Sequence, residues 1–148
     1  MANPEERSAN YARQSSRRLA LQALYQCQFT QNSVKELVEQ YKNDEYWKKA
    51  DQDYFAEMIK VCLASEEKFD EIIDGASDYK VAQIDPIELA SLRIAVYEYC
   101  HSLFIPENVI IAEAIRLCKR FGADEGYKFV NAILDNICKT QNRLTILQ

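Results

Sequence analysis

The sequence has very few of the residues that interrupt secondary structure. Only three glycines and three prolines occur among 148 residues. Because these two residue types mark most turns and loops, their scarcity predicts long helices rather than many short strands. Two of the glycines, Gly122 and Gly126, lie in one short segment, FGADEGYKFVNAILD, which spans residues 121–135. That segment could be either a phosphate-binding loop or a break between two helices.

Long apolar runs and histidine are scarce as well. No run of 18 apolar residues occurs, so we expect no membrane-spanning helix and no membrane partner. The N-terminal sequence MANPEERSANYARQSS has no apolar core of the kind that a secretory signal requires. Because the chain has a single histidine, His101, neither a metal site nor a Cys–His nucleophilic pair is expected. We therefore expect neither a metal nor another cofactor.

The five cysteines form no recognisable motif. Their number is odd, their spacing is wide, and no CxxC sequence occurs; they stand at positions 27, 62, 100, 118 and 138. Each falls on an apolar stretch. This pattern predicts free, buried thiols in the reducing environment of the cytoplasm.

The net charge of −5 is unevenly distributed along the chain. Residues 1–30 carry four arginines against two glutamates, whereas residues 31–90 carry seven lysines against fifteen acidic residues. Residues 91–148 are nearly balanced. The chain as a whole is therefore not typical of a nucleic-acid-binding protein, although its ends could bind one.

Apolar residues recur at spacings of three and four nearly throughout, which predicts an all-α fold. Asp85 followed by Pro86 is a typical helix start, and another helix should begin after Pro106. We expect a single domain over residues 1–148, with a flexible, basic-leaning arm over residues 1–14. The earlier helices are predicted at about 16–29, 33–43 and 51–74, and the breaks near 44–50, 75–84, 102–106 and 122–124.

The glycine pair does not match a nucleotide loop. A Walker loop requires GxxxxGK[ST] after a strand, but here no Ser or Thr follows Lys128 and the preceding segment has helical periodicity. A helix break accounts for the same residues. Gly122 would take the left-handed conformation after one helix, and Asp124 would cap the next.

Four segments, in order, carry a resemblance to a known family. They are RRLALQALYQCQF, LRIAVYEY, IPENVIIAEAIRLCKRFGA and KFVNAILD, and together they resemble the NusB family of transcription antitermination factors over about residues 15–138. The resemblance implies a fold of about seven helices in two perpendicular bundles, and no enzymatic activity. It also implies pairing with the small-subunit ribosomal protein NusE, binding of boxA RNA, and a place in the RNA polymerase antitermination complex, notably in ribosomal RNA operons.

The same resemblance implies an RNA-binding arginine motif at Arg13, Arg17 and Arg18. Here it is interrupted, since the chain reads RQSSRR where the family has nearly continuous arginine. From the residues alone, a solvated charge run remains open. Cations near a helix N-terminus oppose the helix dipole, however, and this unfavourable placement favours contact with phosphate.

Four further residues match functional positions of the family. Lys128 and Phe129 match a segment near the bound RNA, while Tyr25 and Glu88 match positions that face NusE. Alternatives remain open for three of them. Phe129 could be a core residue, Tyr25 a core tyrosine with an exposed hydroxyl, and Glu88 a glutamate that complements the helix dipole. If the RNA site is shared, the start of the first helix should lie beside the start of the last.

Two other function classes remain as alternatives. A similar helical fold occurs as the N-terminal domain of RNA cytosine methyltransferases, but their catalysis requires an α/β domain that these 148 residues do not include. Some similar proteins instead form a homodimer that covers the RNA surface.

Overall fold

The computed structural model describes residues 3–148, and within that range it is all-α, as predicted. No strand occurs in those residues, helices account for about two thirds of them, and one 3-10 turn spans Val81–Gln83. The α-helices in this part of the chain are α1 (Pro4–Gln26), α2 (Val34–Tyr41), α3 (Gln52–Ala64), α4 (Glu66–Ala76), α5 (Pro86–His101), α6 (Glu107–Phe121) and α7 (Gly126–Thr140).

The chain divides into two compact units, one up to Leu63 and one from Ala64 to Gln148. In the first unit, aromatic side chains pack around Phe55, which is fully buried and lies 5.8 Å from the ring of Tyr41 and 5.6 Å from that of Trp47. The hydroxyl of Ser16 donates to the carbonyl of Asp51 at 2.6 Å. This bond ties α1 to the residue that precedes α3.

The second unit is organised around α5. Every residue of α5 from Leu89 to Cys100 is buried, and the helix packs against α4, α6 and α7. Its sequence has two apolar stripes, which is typical of a helix at the centre of a bundle: one of Ile87, Ala90, Ile94 and Tyr97, and one of Leu89, Leu92 and Val96. Arg93 is buried in the same helix and makes a two-pronged contact with Asp70, at 3.0 and 2.9 Å. The buried charge is therefore paired, which burial of an arginine requires.

The start of α1 was predicted about twelve residues too late. A capping box begins the helix: Asn3 accepts from the amide of Glu6 at 2.8 Å, and Glu6 accepts from the amide of Asn3 at 3.2 Å. Pro4 occupies the first helical position, which suits proline. Residues 4–14 are therefore helical, while the flexibility of the arm remains a prediction and residues 1–2 lie outside the described part of the chain.

The predicted helix over 51–74 is in fact two helices. The chain breaks at Ser65, which has φ −109° and ψ 17°, close to the boundary between the two units. Neither glycine nor proline marks this break, and the apolar periodicity continues through it. The local signal for the interruption is weak: Ser65 followed by Glu66 and Glu67 is typical of a helix start, but the serine makes no side-chain cap bond.

The prediction of a left-handed Gly122 is wrong. Gly122 is extended, with φ −92° and ψ 180°, and its amide donates to the carbonyl of Cys118 at 2.8 Å. The left-handed residue is Glu125, with φ 72°, which directly precedes α7. Asp124 does not cap α7 either, because Glu125 occupies the cap position without a side-chain cap bond. The chain reverses its direction after the extended glycine, rather than at it.

The C-terminal segment provides hydrogen-bond donors to the carbonyls at the end of α5. The guanidinium of Arg143 donates to the carbonyls of Tyr99 at 3.0 Å, Ile105 at 2.6 Å, Glu98 at 3.1 Å and Ser102 at 2.9 Å. These include carbonyls that the last turn of a helix leaves without an intrahelical partner. One cationic side chain thus completes the helix end and the loop that follows it.

The prediction of buried thiols holds for three of the five cysteines. All five cysteines are free; Cys62, Cys100 and Cys118 are buried, whereas Cys27 and Cys138 are half-buried. Within residues 3–148, no helix is long and apolar enough to cross a membrane.

Candidate nucleic-acid and protein interface

The three arginines of the expected RNA motif lie well inside α1. Because the helix begins at Pro4, Arg13 lies in its third turn and Arg17 and Arg18 follow in the next. The helix dipole acts only within the first turn. The argument that these cations oppose the dipole is therefore wrong, and their role rests on what they contact and how exposed they are.

The three arginines differ in their surroundings. Arg13 is half-buried and donates to the side chain of Asn10 at 2.5 Å. Arg18 is half-buried, and its guanidinium carbon lies 4.0 Å from the centre of the Tyr46 ring. Arg17, in contrast, is only 3 % exposed. A phosphate group would therefore reach Arg13 and Arg18 more easily than Arg17.

One of the three residues that interrupt the arginine motif, Ser16, has a structural role. Ser16 is fully buried and donates to the carbonyls of Ala12, at 3.0 Å, and Asp51, at 2.6 Å. A long cationic side chain at this position would lose both bonds and bury a charge. Ser16 thus belongs to the packing of the first unit.

Tyr46 is a residue that the sequence analysis missed. The ammonium of Lys49 also lies over its ring, 5.1 Å from the centre, so two cations share one aromatic neighbour. The amide of Tyr46 donates to the side chain of Asp44 at 2.8 Å, which fixes the turn that carries the ring. No sequence signal links Tyr46 to Arg18, because a whole helix, α2, lies between them in the chain.

Tyr25 lies at the surface near the end of α1, so it is not a core tyrosine. It is 38 % exposed, and its ring lies 5.2 Å from that of Phe29, which is 64 % exposed. Beside this pair, the side-chain amide of Gln26 donates to the side chains of Asn32 and Gln40, both at 2.9 Å. Phe29 was also missed, although a spacing of four residues on a helix would have indicated the pair.

Glu88 lies in the first turn of α5 and is half-buried. Burial, and secondarily the charge of Asp85, raises the pKa of the Glu88 carboxyl. A Cβ atom on residue 126 would lie 2.9 Å from a Glu88 carboxylate oxygen. With glycine at position 126, this carboxylate lies against the start of α7, and a larger residue there would displace it.

Lys128 and Phe129 lie on the first turn of α7. Lys128 is exposed and forms an ion pair with Glu125 one turn earlier. Phe129 is half-buried, and its ring centre lies 5.9 Å from that of Tyr79, which is 57 % exposed. Phe129 is thus neither fully in the core nor fully exposed. Tyr79 was missed because it is distant in the sequence.

The expected site residues are divided between the two units. Arg13, Arg17, Arg18 and Tyr25 belong to the first unit, whereas Glu88, Lys128 and Phe129 belong to the second. In the first unit Arg18 and Tyr25 each lie next to an aromatic side chain that the sequence analysis did not select, and in the second unit Phe129 does. A site shared between the two units remains a prediction.

The chemistry of the thiols does not favour nucleophilic catalysis. Burial raises the pKa of Cys100 to about 11, and that of Cys138 likewise to about 11. A thiol with such a pKa is protonated at neutral pH and is a poor nucleophile. In residues 3–148, no group of three or more His, Cys, Asp or Glu side chains could hold a metal ion.

A family model, curated relatives and a solved structure all match this chain and share one family name. The NusB family model matches residues 14–139 of this chain. A transcription antitermination protein NusB from Idiomarina loihiensis is 40 % identical over 129 residues, covering 87 % of this chain and 93 % of that protein. A protein of the same name from Marinomonas sp. is 39 % identical over 138 residues, covering 92 % and 79 %. The solved structure of T. maritima NusB matches with a TM-score of 0.76 and 26 % identity, covering 99 % of both chains.

Proposed function

We propose, from the premise that this chain belongs to the NusB family of transcription antitermination factors, that it pairs with the ribosomal protein NusE and that the pair binds boxA RNA. The pair would act in the cytoplasm on nascent transcripts, notably those of ribosomal RNA operons, as part of the antitermination complex of RNA polymerase. Its role would be that of a binding protein rather than an enzyme.

The observation that carries the RNA proposal is the guanidinium of Arg18, which lies over the ring of Tyr46. A planar guanidinium can bind phosphate with two parallel hydrogen bonds, and stacking on a ring restricts its orientation beforehand. Less side-chain freedom is then lost when phosphate binds. Arg13, five residues earlier on α1, would contribute a second cation.

The small number of phosphate contacts that the arginines can make explains why RNA binding would need a partner protein. Two or three phosphate contacts to a single strand correspond to a salt slope of only about −1.4 to −2. That is modest for a chain whose net charge is −5. A basic partner that adds phosphate contacts would raise the affinity, and it would be attracted by the acidic residues between 31 and 90.

We infer two separate protein contacts, one in each unit: Tyr25 and Phe29 in the first unit, and Glu88 in the second. Exposed aromatic side chains are enriched among the residues that carry binding energy in protein interfaces. The raised pKa of Glu88 reflects a half-buried carboxylate whose charge a cation of the partner would compensate. We therefore expect NusE to present an apolar side chain to the aromatic pair and a basic one to Glu88.

The RNA proposal is tested with a double variant, Arg13→Ala with Arg18→Ala. Arg17 stays intact because its burial would mix a binding defect with a folding defect. We expect weaker binding of boxA RNA by the NusE pair, and a salt slope lower by about 1–2, in fluorescence anisotropy titrations.

The matched control is Lys35→Ala with Lys60→Ala, which removes two exposed cations from the same unit. It changes the net charge equally but should leave the RNA affinity nearly unchanged. If the arginine variant binds RNA as tightly as the wild type at about 50 mM salt, where electrostatic binding is strongest, the assignment of these arginines is wrong.

The partner proposal is tested with Phe29→Ala, for which we expect a loss of NusE affinity of about 1–2 kcal/mol. Tyr11→Ala is the matched control, since Tyr11 lies in the same unit as Phe29 and is 67 % exposed. Sedimentation of both variants measures self-association and so distinguishes a homodimer contact from a NusE contact. If Phe29→Ala abolishes self-association but binds NusE normally, the aromatic pair belongs to a homodimer instead.

A further inference from the structure

Tyr79 is an exposed aromatic residue for which neither the fold nor the proposed arginine contacts account. It lies between α4 and α5, and its ring is tilted by 57° relative to that of Phe129 on α7, with 5.9 Å between the ring centres. Both residues belong to the second unit. More than half of the tyrosine remains in contact with solvent. The two rings thus form a small aromatic platform at the surface of that unit.

The backbone around Tyr79 is held in place by side chains. The amide of Tyr79 donates to the hydroxyl of Ser77 at 3.0 Å, and the amide of Val81 donates to Asp74 at 2.9 Å. Asn136 on α7 donates to the carbonyl of Ala76 at 3.1 Å. These bonds anchor the segment on both sides of the tyrosine, so the ring is presented from an ordered turn.

The charges near the platform are mixed. Asp78 and Lys80 flank Tyr79 in the sequence, and both are exposed. Next to Phe129, the cation of Lys128 is paired with Glu125. With Asp74, which accepts from the amide of Val81, the named groups have a small excess of negative charge, and strong phosphate binding is not expected there. What this place offers a ligand is the face of an aromatic ring.

These surroundings distinguish between two kinds of ligand. A protein contact that contributes strongly to binding is usually enclosed by a broad rim that excludes water. Here, isolated rings stand among charged side chains, which suits a flat, polar-edged group that stacks on one face. Unpaired nucleic acid bases stack on exposed aromatic rings with little sequence preference.

We propose that Tyr79, supported by Phe129, stacks on an unpaired base of the bound RNA. This inference rests on the proposed function, because it assumes that the chain binds single-stranded RNA. It adds a contact of different chemistry: the arginines of α1 would hold phosphates, whereas Tyr79 would hold a base. The two contributions should therefore respond differently to salt.

The test measures binding of a single-stranded boxA RNA oligonucleotide by the NusE pair with Tyr79→Ala at several salt concentrations. Loss of one stacked base should weaken binding by about 5-fold to 150-fold. The salt slope should stay unchanged, because no phosphate contact is lost. Tyr79→Phe keeps the ring and should bind like the wild type. Phe104→Ala removes another aromatic residue of the same unit, 66 % exposed, and should have no effect.

A second measurement detects stacking directly. The chain has a single tryptophan, Trp47, so Tyr79→Trp introduces one additional fluorophore at the platform. Its fluorescence should be quenched when the RNA oligonucleotide binds, beyond any change seen in the wild type. This variant retains an aromatic ring and should therefore fold and bind.

The outcomes separate the two proposals. If the wild-type pair does not bind boxA RNA, the proposed function itself fails. If the wild type binds and Tyr79→Ala binds equally well, the stacking assignment is wrong and the proposed function stands. If Tyr79→Ala weakens NusE binding while RNA binding by the assembled pair is unchanged, Tyr79 is a protein contact and the inference is overturned.

Discussion

The left-handed conformation of Glu125 predicts that Glu125→Gly is more stable than Glu125→Ala. Among residues 3–148, Glu125 is the non-glycine residue with a positive φ, at 72°. An L-residue in this region is disfavoured by about 1–2 kcal/mol. Glycine avoids that penalty but loses about 0.5–1 kcal/mol more conformational entropy on folding. The difference leaves a net gain of about 0.5–1 kcal/mol in the free energy of unfolding.

The proper reference for this gain is Glu125→Ala rather than the wild type. The carboxylate of Glu125 pairs with Lys128, and both side chains are well exposed, at 68 % and 64 %. Such a pair contributes about 0–1 kcal/mol, and both substitutions remove it. The alanine variant keeps the left-handed backbone, whereas the glycine variant relieves it. Comparing the two therefore isolates the backbone term.

Urea unfolding followed by circular dichroism measures this difference. Tryptophan fluorescence provides a second probe, because Trp47 lies in the first unit and Glu125 in the second. Coincident transitions from the two probes would justify a single free energy of unfolding. We expect the midpoint of Glu125→Gly to lie above that of Glu125→Ala with an unchanged m-value. A glycine variant that is no more stable than the alanine variant would refute the reasoning.

Three further predictions follow from the second unit. Gly122→Ala should lower the free energy of unfolding by about 1–3 kcal/mol in urea titrations. The reason is that the alanine Cβ would lie 2.8 Å from the carbonyl oxygen of Cys118, a backbone atom that cannot easily move. An unchanged urea midpoint would count against this. Burial, and then the charge of Asp85, raises the pKa of Glu88, so this residue's contribution to stability is present below its ordinary pKa of 4.5 and is lost as the pH rises through the raised value. The stability of Glu88→Gln relative to the wild type should therefore increase with pH over that window in pH-dependent urea titrations, and a flat difference would contradict it. Arg143→Lys should cost about 1–3 kcal/mol of unfolding free energy, because an ammonium group cannot reach all four carbonyls that the guanidinium serves; a thermal midpoint equal to that of the wild type would show that water replaces those bonds.

Much of the secondary structure could be predicted because its signals are local. The sequence Asp85-Pro86 marked the start of α5, and the side chain of Asp85 does accept from the amides of Ile87 and Glu88, at 2.9 and 3.3 Å. The helix after Pro106 begins at Glu107 as expected. Two boundaries were wrong for different reasons. The cap at Asn3 is a readable signal that was overlooked. At Ser65, the serine and the two glutamates after it are a weak helix-start signal, and the apolar periodicity continues through it.

The sequence by itself determined the all-α fold, the central position of α5, the free thiols and the family. These follow from apolar periodicity, capping residues and matched sequence segments. Each of these signals can be read from a short stretch of neighbouring residues. Only the tertiary structure decided which expected site residues are accessible: it buries Arg17, places Arg18 over Tyr46 and sets Tyr79 beside Phe129. The physical reason is that burial and ring contacts depend on side chains from different helices and loops. Their approach is decided by packing, which leaves no regular spacing in the chain.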